Sequence, residues 1–420
     1  MSVRTITLIL CFILITTTLG NLRALAQEKR AQRQYKIDEL IGLALEKNPS
    51  VSSAISSINI AKGNLRASMA YPNPEVEFSA AQGKSRGGEG SSLTGEEFGI
   101  AVAQPLEWPL KRFYRRKAAE EGVRVTEFDG EAFRIQLIFT TKQLYYSVLL
   151  AEKDAEIARQ NLDTSRTILS IIERRVELGE SRELDFIKAR VETLKFQRDL
   201  IRAEANLSAI KAILNRFLGN SLEKDFEVAD EFTPPANIPS LREIARSVAD
   251  YNPRLRVKKA EINRAGFLLS EQKYLRVPDI FLQGFYDREI DKTALGGGVG
   301  ISIPLWNLNQ GGIQRARAEE RKASFDLKLL EIEIGNRLED EYKNYTVAFE
   351  QSKIFSSELL ERAKRSLEIA RFSYEQGEIE LLDLLDALRT YRDTFREYYQ
   401  VIYEFYISQI TLEKISGGKM

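Results

Sequence analysis

Two aspartates near the carboxyl end of the chain have side chains that could do chemistry, and their spacing could bring them together. Asp383 and Asp386 stand three positions apart in a stretch, 381–416, that lacks proline and glycine, and residues three apart share one face of a helix. Paired carboxylates can transfer protons or attract cations. No phosphate loop, nucleophile–base set or pocket-forming α/β pattern accompanies them, so the sequence predicts a protein that is not an enzyme.

The residue types that the chain lacks narrow its chemistry further. Among 420 residues there is no His and a single Cys, Cys11. Cys11 lies in a segment that is expected to be removed from the mature protein, as described below. A mature chain without Cys and His cannot form disulfides, Cys or His metal sites, or nucleophile–His catalytic pairs. The formal net charge of +0 provides no basic field for nucleic acid. We therefore expect no cofactor, no protein metal site and no nucleic-acid partner.

Residues 1–26 have the pattern of a secretory signal peptide. A charged start and a short apolar core precede a small-residue cleavage pattern at 24–26, so the mature chain would begin near Gln27. A retained membrane anchor and a lipid-modified Cys11 are the alternatives. Beyond this segment no apolar run reaches the roughly 18 residues of a spanning helix, so any entry of the mature chain into a membrane would use strands.

The chain repeats its motifs after about 200 residues. Asn48-Pro49 recurs as Asn252-Pro253, and 214–219 (LNRFLG) recurs as 412–417 (LEKISG). A repeat of this kind is one structural unit that needs neighbours to bury its open surfaces. We divide the mature chain into a first repeat at 27–231, a proline-rich linker at 232–240 and a second repeat at 241–420.

Each repeat predicts the same four elements, namely a helix, a β-hairpin bounded by proline, a long helix and a final helix. In the first repeat they span 37–70 (broken at Asn48-Pro49), 75–104, 110–178 and 184–218; in the second, 241–275, 279–303, 310–376 and 382–416. An apolar seam from 137 to 176 has the 3.5-residue period of supercoiled helices. Two helices of about 35 residues placed end to end would match the long helix and form a cylinder wall of uniform height.

Four short strands alternate apolar residues with small or polar ones. In lipid, this pattern places one face on the bilayer and the other on a lumen. Four strands cannot close a barrel, and open edges in lipid leave backbone groups unsatisfied. A membrane location therefore requires oligomerisation, and three copies would supply twelve strands. A soluble hairpin that caps a helical bundle is the alternative.

Taken together, these residues resemble the outer-membrane efflux protein (TolC) family. The resemblance rests on the twofold repeat, on Asn-Pro followed by a hairpin that opens at proline, on Gly179 and Gly377 at the helix turns, and on 381–388 (LLDLLDAL). Two further segments, 104–112 (QPLEWPLKR) and 304–312 (PLWNLNQGG), are similar to the heavy-metal efflux (CzcC-like) branch of the family.

The resemblance implies a mainly α fold with a small β part. A homotrimer would join a long coiled-coil α-helical barrel in the periplasm to a 12-stranded β-barrel in the lipid of the bacterial outer membrane. Its implied partners are a periplasmic adaptor protein and an inner-membrane RND-type pump. The implied function is a passive exit duct for heavy-metal cations. A drug efflux or type I secretion duct, and a soluble periplasmic coiled-coil scaffold, are the alternatives.

The resemblance also assigns residues to a channel constriction. Asp383 and Asp386 match an Asp-x-x-Asp motif, and Tyr374 matches a tyrosine of a network that closes the periplasmic end at rest. Three copies would place carboxylates in a ring that favours cations, whereas two solvated acids on a helix surface are the alternative. Ile379 replaces an arginine of the family. Lys188 stands in the first repeat where Asp386 stands in the second, so the two repeats need not contribute equally.

The residues at the two helix turns are expected to dock the adaptor. The opening that the resemblance implies is an iris-like motion of the helices after Gly377. The glycines are also expected to end their helices, whether or not an adaptor binds there. The docking candidates are Leu178, Gly179, Glu180, Ser181, Gly377 and Glu378.

Overall fold

The structure, a computed structural model, describes residues 33–86, 92–223, 225–233, 237–355 and 357–419. The predicted signal peptide and the centre of the predicted linker, 234–236, lie outside the described residues. The chain forms two compact units. The first unit consists of the described residues within 1–48, 138–236 and 347–407. The second unit consists of the described residues within 49–137, 237–346 and 408–420.

The longer elements follow the same order in both halves of the chain, whereas two short strands occur in the first half alone among the described residues. The first half contains β1 (Gln34–Tyr35), α1 (Ile37–Lys47), α2 (Pro49–Met69), β2 (Glu75–Arg86), β3 (Ser92–Leu106), α3 (Pro109–Glu177), α4 (Glu183–Phe217) and β4 (Glu227–Val228). The second half contains α5 (Leu241–Tyr251), α6 (Pro253–Tyr274), β5 (Asp279–Arg288), β6 (Thr293–Ser302), α7 (Gln310–Ile354), α8 (Ser357–Gln376) and α9 (Leu381–Ile415). The predicted mainly helical fold with a small β part is confirmed.

Two helices that the sequence predicts as continuous are divided in the structure. The helix predicted at 241–275 is interrupted at Asn252, since Pro253 removes a donor and restricts the residue before it. The helix predicted at 310–376 is divided after Ile354. Phe355, which lies in a turn there, is an aromatic residue of lower helix propensity than alanine or leucine. None of the described helices has an apolar stretch long enough to cross a membrane.

The four longer strands form one antiparallel sheet in the second unit, with the order β2-β3-β5-β6. Each predicted hairpin pairs its own two strands. The two hairpins then join through β3 and β5, where Phe98 lies opposite Arg288 and Leu106 lies opposite Ile280. The sequence alone does not predict this last pairing. The two-residue strands β1 and β4, which were not predicted either, pair in parallel in the first unit.

The register gives the four-stranded sheet two chemically different faces. Directly opposed residues share a face, and Phe78, Ile100 and Tyr286 are aligned across three strands on one of them. We call this the apolar face. It includes side chains that are strongly exposed in the chain, at Val76 (53%), Phe78 (76%), Leu295 (85%), Val299 (68%) and Ile301 (57%).

The opposite face, which we call the polar face, is built around glycines. Phe281 lies opposite Gly300, and Phe285 lies opposite Gly296. Each phenylalanine ring occupies the space that a Cβ atom of its partner would fill. The Asp287 carboxylate and the Ser79 hydroxyl similarly occupy the space beside Gly99. Large side chains therefore lie flat along this face because the glycines leave room for them.

The first unit has a core of leucine, isoleucine and aromatic residues from four helices. Leu162 and Ile172 of α3, Phe196 of α4, Leu367 of α8 and Leu384 of α9 all belong to it. The predicted apolar seam of α3 faces inward, because no residue of the seam between Thr141 and Val176 is exposed. The supercoil period therefore corresponds to real helix–helix packing in this unit.

A buried tyrosine connects α3 of the first unit to the segment that follows β4. The Tyr145 hydroxyl donates to the Asp230 carboxylate over 2.6 Å and accepts from the Asp230 backbone N–H over 3.1 Å. Burial raises the pKa of Tyr145 far above its usual value, and the hydrogen bond to Asp230 raises it further. The hydroxyl therefore stays protonated and donates throughout the physiological pH range.

The repeated Asn-Pro motif holds the end of the last helix of each repeat. The Asn48 side-chain amide donates to the Phe217 carbonyl oxygen over 3.1 Å, and the Asn252 amide donates to the Ile415 carbonyl oxygen over 2.8 Å. These carbonyls belong to the last turns of α4 and α9, which lack helical partners. The repeated LNRFLG and LEKISG segments are therefore helix ends, each capped by an asparagine that precedes a helix-starting proline.

Candidate functional site

The two glycine turns of the first unit have the same backbone geometry. Gly179 has φ +76° and Gly377 has φ +77°, values that favour glycine because other residues have a Cβ atom that clashes. After α3, the Gly179 N–H donates to Val176 and the Glu180 N–H donates to Arg175. After α8, the corresponding bonds run from Gly377 to Tyr374 and from Glu378 to Ser373. Both turns are Schellman caps.

One arginine lies between the two turns. The Arg175 guanidinium lies over the Tyr374 ring, 5.2 Å from its centroid, and donates to the Tyr374 carbonyl oxygen. Its Nε atom is 3.7 Å from a carboxylate oxygen of Glu180. Arg175 therefore joins the end of α3 to the end of α8. The sequence does not predict this role of Arg175; Ser373 stands at the matching position of the second repeat, but that difference does not identify the partner of Arg175.

Tyr374 is 5% exposed and belongs to the core of the first unit, among Leu381, Leu384 and Leu388. The Arg175 guanidinium also lies over its ring. In this conformation of the chain, Tyr374 supports the turn from within. Its predicted place in a closing network remains a prediction.

Asp383 and Asp386 lie on the same exposed side of α9, whereas Leu384, Leu385 and Leu388 between and beyond them are buried. Asp383 accepts a hydrogen bond of 3.2 Å from the Glu380 backbone N–H. This contact satisfies a free donor at the start of α9, as in a capping box. Asp386 makes no hydrogen bond or ion pair within the described part of the chain. Both carboxylates are thus available to a ligand or a neighbouring molecule.

The corresponding residues of the first repeat differ in environment as well as in type. Asp185 is 7% exposed and its carboxylate pairs with Arg182 over 3.1 Å. Lys188 is exposed. The exposed pair of aspartates is therefore a property of the second repeat, as the sequence difference between the repeats indicates.

The predicted docking residues form two exposed turns. Leu178 is 67% exposed, a high value for a leucine, and Glu180 and Glu378 are also exposed. Ser181 is half-buried, and its N–H donates to the Arg175 carbonyl oxygen over 3.2 Å. Each turn therefore exposes acidic side chains, and the first also exposes a leucine; the predicted docking of an adaptor at these turns stays a prediction.

The polar face of the four-stranded sheet is a second candidate surface. Among its described strand residues it has no Lys or Arg. Arg288 belongs to the other face, where it lies 5.8 Å from the Phe98 ring centroid. Asp279 is paired with Lys111 over 2.8 Å. The carboxylates on the polar face are Glu75, Glu77, Glu97, Asp279 and Asp287.

Within the described residues, no three His, Cys, Asp or Glu side chains come close enough together to hold a metal ion. The exposed carboxylates can attract cations through their field, which acts over several ångströms. They do not form a coordination sphere.

Long paired helices, a sheet with one exposed apolar face and an acidic opposite face together define an outer-membrane duct. The chain belongs to the outer membrane efflux protein family, whose sequence profile matches residues 40–220 and 242–418. The two matches correspond to the two repeats. The predictions of family, of an outer-membrane location and of a protein that is not an enzyme are confirmed.

Relatives and solved structures cover almost the whole chain. The cobalt-zinc-cadmium resistance protein CzcC of Cupriavidus metallidurans is 23% identical over 93% of this chain and 91% of its own. The probable outer membrane lipoprotein SilC of Salmonella typhimurium is 23% identical over 91% of this chain and 86% of its own. The outer membrane protein VceC of Vibrio cholerae shares the fold, with a TM-score of 0.74 and 16% identity over 91% of this chain and 96% of that one.

Proposed function

We propose that this protein is the outer-membrane duct of a tripartite efflux system and that it works as a homotrimer. In this proposal it conducts heavy-metal cations passively, after an inner-membrane pump and a periplasmic adaptor have delivered them. The two-faced sheet with unpaired edges carries the proposal.

The edges of the sheet support an assembly of several copies. In the described structure, β2 and β6 each pair with one neighbour only, so each has a row of unpaired backbone groups. In lipid, each such group costs several kcal/mol because no water can replace the missing partner. Pairing β6 of one copy with β2 of the next would satisfy both edges. Three copies would then close a barrel of twelve strands.

The apolar face supports a location in lipid. Its exposed valine, leucine, isoleucine and phenylalanine side chains have no covering element in the described part of the chain. Trp306, just after β6, is 97% exposed, and tryptophan is enriched where a membrane meets water. An alternating strand pattern with an apolar outer face is the signature of outer-membrane strands.

The cargo is inferred from two supports. CzcC is named as a cobalt-zinc-cadmium resistance protein, and the polar face of the sheet contains carboxylates but no described Lys or Arg. If this face lines the lumen, its field attracts cations and opposes anions. The exposed Asp383 and Asp386 would add a second acidic ring at the turn end, and the turns at Gly179 and Gly377 would meet the adaptor.

The proposal is tested with the full chain extracted in detergent. We expect light scattering to give a mass of three chains, and we expect reconstituted protein to conduct ions across a planar bilayer. A folded monomer that is stable without detergent would refute the duct. Loss of the gene in its host should increase sensitivity to cobalt, zinc or cadmium, and unchanged sensitivity to all three would refute the proposed cargo alone.

The double change Asp383→Asn with Asp386→Asn is expected to lower cation-over-anion permeability several-fold. One unit charge contributes about 1 kcal/mol at ~4 Å in water, and the change removes two charges per chain while the new amide at position 383 keeps an acceptor for the start of α9. Reversal potentials in a salt gradient measure the effect. Glu397→Gln, an exposed change on the same helix, is the control. Equal permeability ratios in the double variant and the control would remove the pair from the conduction path.

A further inference from the structure

A cavity in the first unit lies between three helices, away from the glycine turns. It has a volume of about 440 Å³, within the range of small-molecule sites. Ile157, Ala158, Phe196 and Ala203 provide an apolar lining. The polar lining comes from α3, α4 and α9, at Asp154, Asn161, Asp199, Arg202, Asn206, Arg392 and Arg396.

One buried acceptor that lines this cavity has no hydrogen-bond partner among the described residues. Asn161 is 2% exposed, and its side-chain carbonyl oxygen makes no hydrogen bond within the described structure. Buried polar groups are nearly always paired, because an unpaired one loses its interaction with water and gains nothing in return. Asn161 lines the cavity, so a ligand there can supply the missing donor.

Among the charged groups that line the cavity, one cation has no partner in the described part of the chain. Asp199 pairs with Arg198 over 2.8 Å, and Arg392 pairs with its neighbour Asp393 over 2.8 Å. Arg202 has no hydrogen bond or ion pair to any described residue. Its guanidinium therefore retains all of its donors for an anion, and a planar guanidinium suits a carboxylate in particular.

The remaining ion pair of the cavity, between Asp154 and Arg396, has a long contact distance. Asp154 and Arg396 are 4.0 Å apart, and the Arg396 side chain is 73% exposed. Burial raises the pKa of the Asp154 carboxyl, and Arg396 opposes this shift only in part. Arg396 is consequently free to turn toward a stronger anion at the mouth of the cavity. The lining of the cavity therefore combines the Arg202 and Arg396 guanidinium groups and the neutral Asn161 acceptor with two carboxylates, Asp154 and Asp199.

We propose that this cavity binds a small organic carboxylate that also has a hydroxyl or N–H donor. The carboxylate would pair with Arg202, assisted by Arg396, and the donor would satisfy the Asn161 carbonyl oxygen. An apolar body between them would lie against Phe196 and Ile157. Since its contacts come from α3, α4 and α9, the bound molecule would hold these helices in the arrangement described above.

The proposal is tested by measuring the binding of 3-hydroxybenzoate to the full chain in detergent with isothermal titration calorimetry. We expect saturable binding, and about tenfold weaker binding after Arg202→Gln or Asn161→Leu, as expected for the loss of one hydrogen bond to a charged or buried group. Arg190→Gln, an exposed arginine of the same helix outside the cavity, should bind like the unchanged protein. Benzoate lacks the donor and 3-hydroxybenzamide lacks the charge, so both should bind more weakly than 3-hydroxybenzoate.

Three results would overturn the proposal: no saturable binding, equal binding by Arg202→Gln and Arg190→Gln, or equal affinity for benzoate and 3-hydroxybenzoate. Arg202 is exposed, so its variant should fold normally even if a change at buried Asn161 does not. The outcome is separate from the proposed duct, because ion conductance can be measured in the same variants and should remain.

Discussion

Val299→Lys is expected to destabilise the membrane-inserted protein by about 2–4 kcal/mol per chain if residue 299 lies near the bilayer midplane. Val299 lies on the apolar face, opposite Leu282, and is 68% exposed. A lysine there would have to place its ammonium in hydrocarbon or stretch to the interface. Denaturant titration of protein folded into lipid vesicles measures the difference directly.

The adjacent residue provides the control. Gly298 lies on the polar face opposite Gln283, and no other heavy atom lies within 4 Å of the position that its Cβ would occupy. Gly298→Lys introduces the same side chain into the same strand, but toward water if the polar face lines a lumen. We expect a change close to zero. If both variants lose the same stability, the assignment of the two faces to lipid and lumen is wrong.

Gly417→Ala is expected to destabilise the protein by about 3 kcal/mol or more. Gly417 has φ +77°, which costs a residue with a Cβ atom about 1–2 kcal/mol. The new methyl group would also overlap the backbone carbonyl oxygen of Tyr251, and a backbone atom next to the Asn252 cap cannot move without disturbing that cap. Denaturant or thermal unfolding in detergent tests this expectation.

The first repeat contains a matched position with more space. Gly219 has φ +70°, but its Cβ would lie 3.4 Å from the Lys47 carbonyl oxygen, a tolerable contact. Gly219→Ala should therefore cost only about 1–2 kcal/mol for the backbone conformation. Equal losses in the two variants would show that the contact with Tyr251 relaxes and that φ alone determines the cost.

The sequence supports the elements of this fold more strongly than it supports their contacts. Proline boundaries and alternating apolar residues are local signals, so they indicate the four longer strands. The pairing of β3 with β5 depends on residues far apart in the chain, such as Phe98 and Arg288, and no local pattern specifies it. The sequence does not predict the end of α7 at Ile354, because the low propensity of one residue, Phe355, is a weak signal within a long periodic helix.

The candidate site was predictable to a similar extent. Glycine after a long periodic helix indicates a C-cap, and Gly179 and Gly377 do end α3 and α8. The capping role of Asp383 could have been anticipated from its position in the first turn of a helix. Arg175 could not be placed, because its contact with Tyr374 joins helices whose facing residues are about 200 positions apart in the chain.

The phenylalanine–glycine pairs of β5 and β6 constrain strand alignment. A shift of one residue would exchange the two faces of β6, which the apolar pattern opposes. A shift of two residues preserves the faces, so the pattern does not oppose it. Such a shift would bring Phe285 opposite Ala294, or Phe281 opposite Ser302, where a Cβ atom blocks the ring. The glycines thus disfavour misaligned hairpins that hydrophobicity alone would accept, and they select one alignment as the barrel wall assembles.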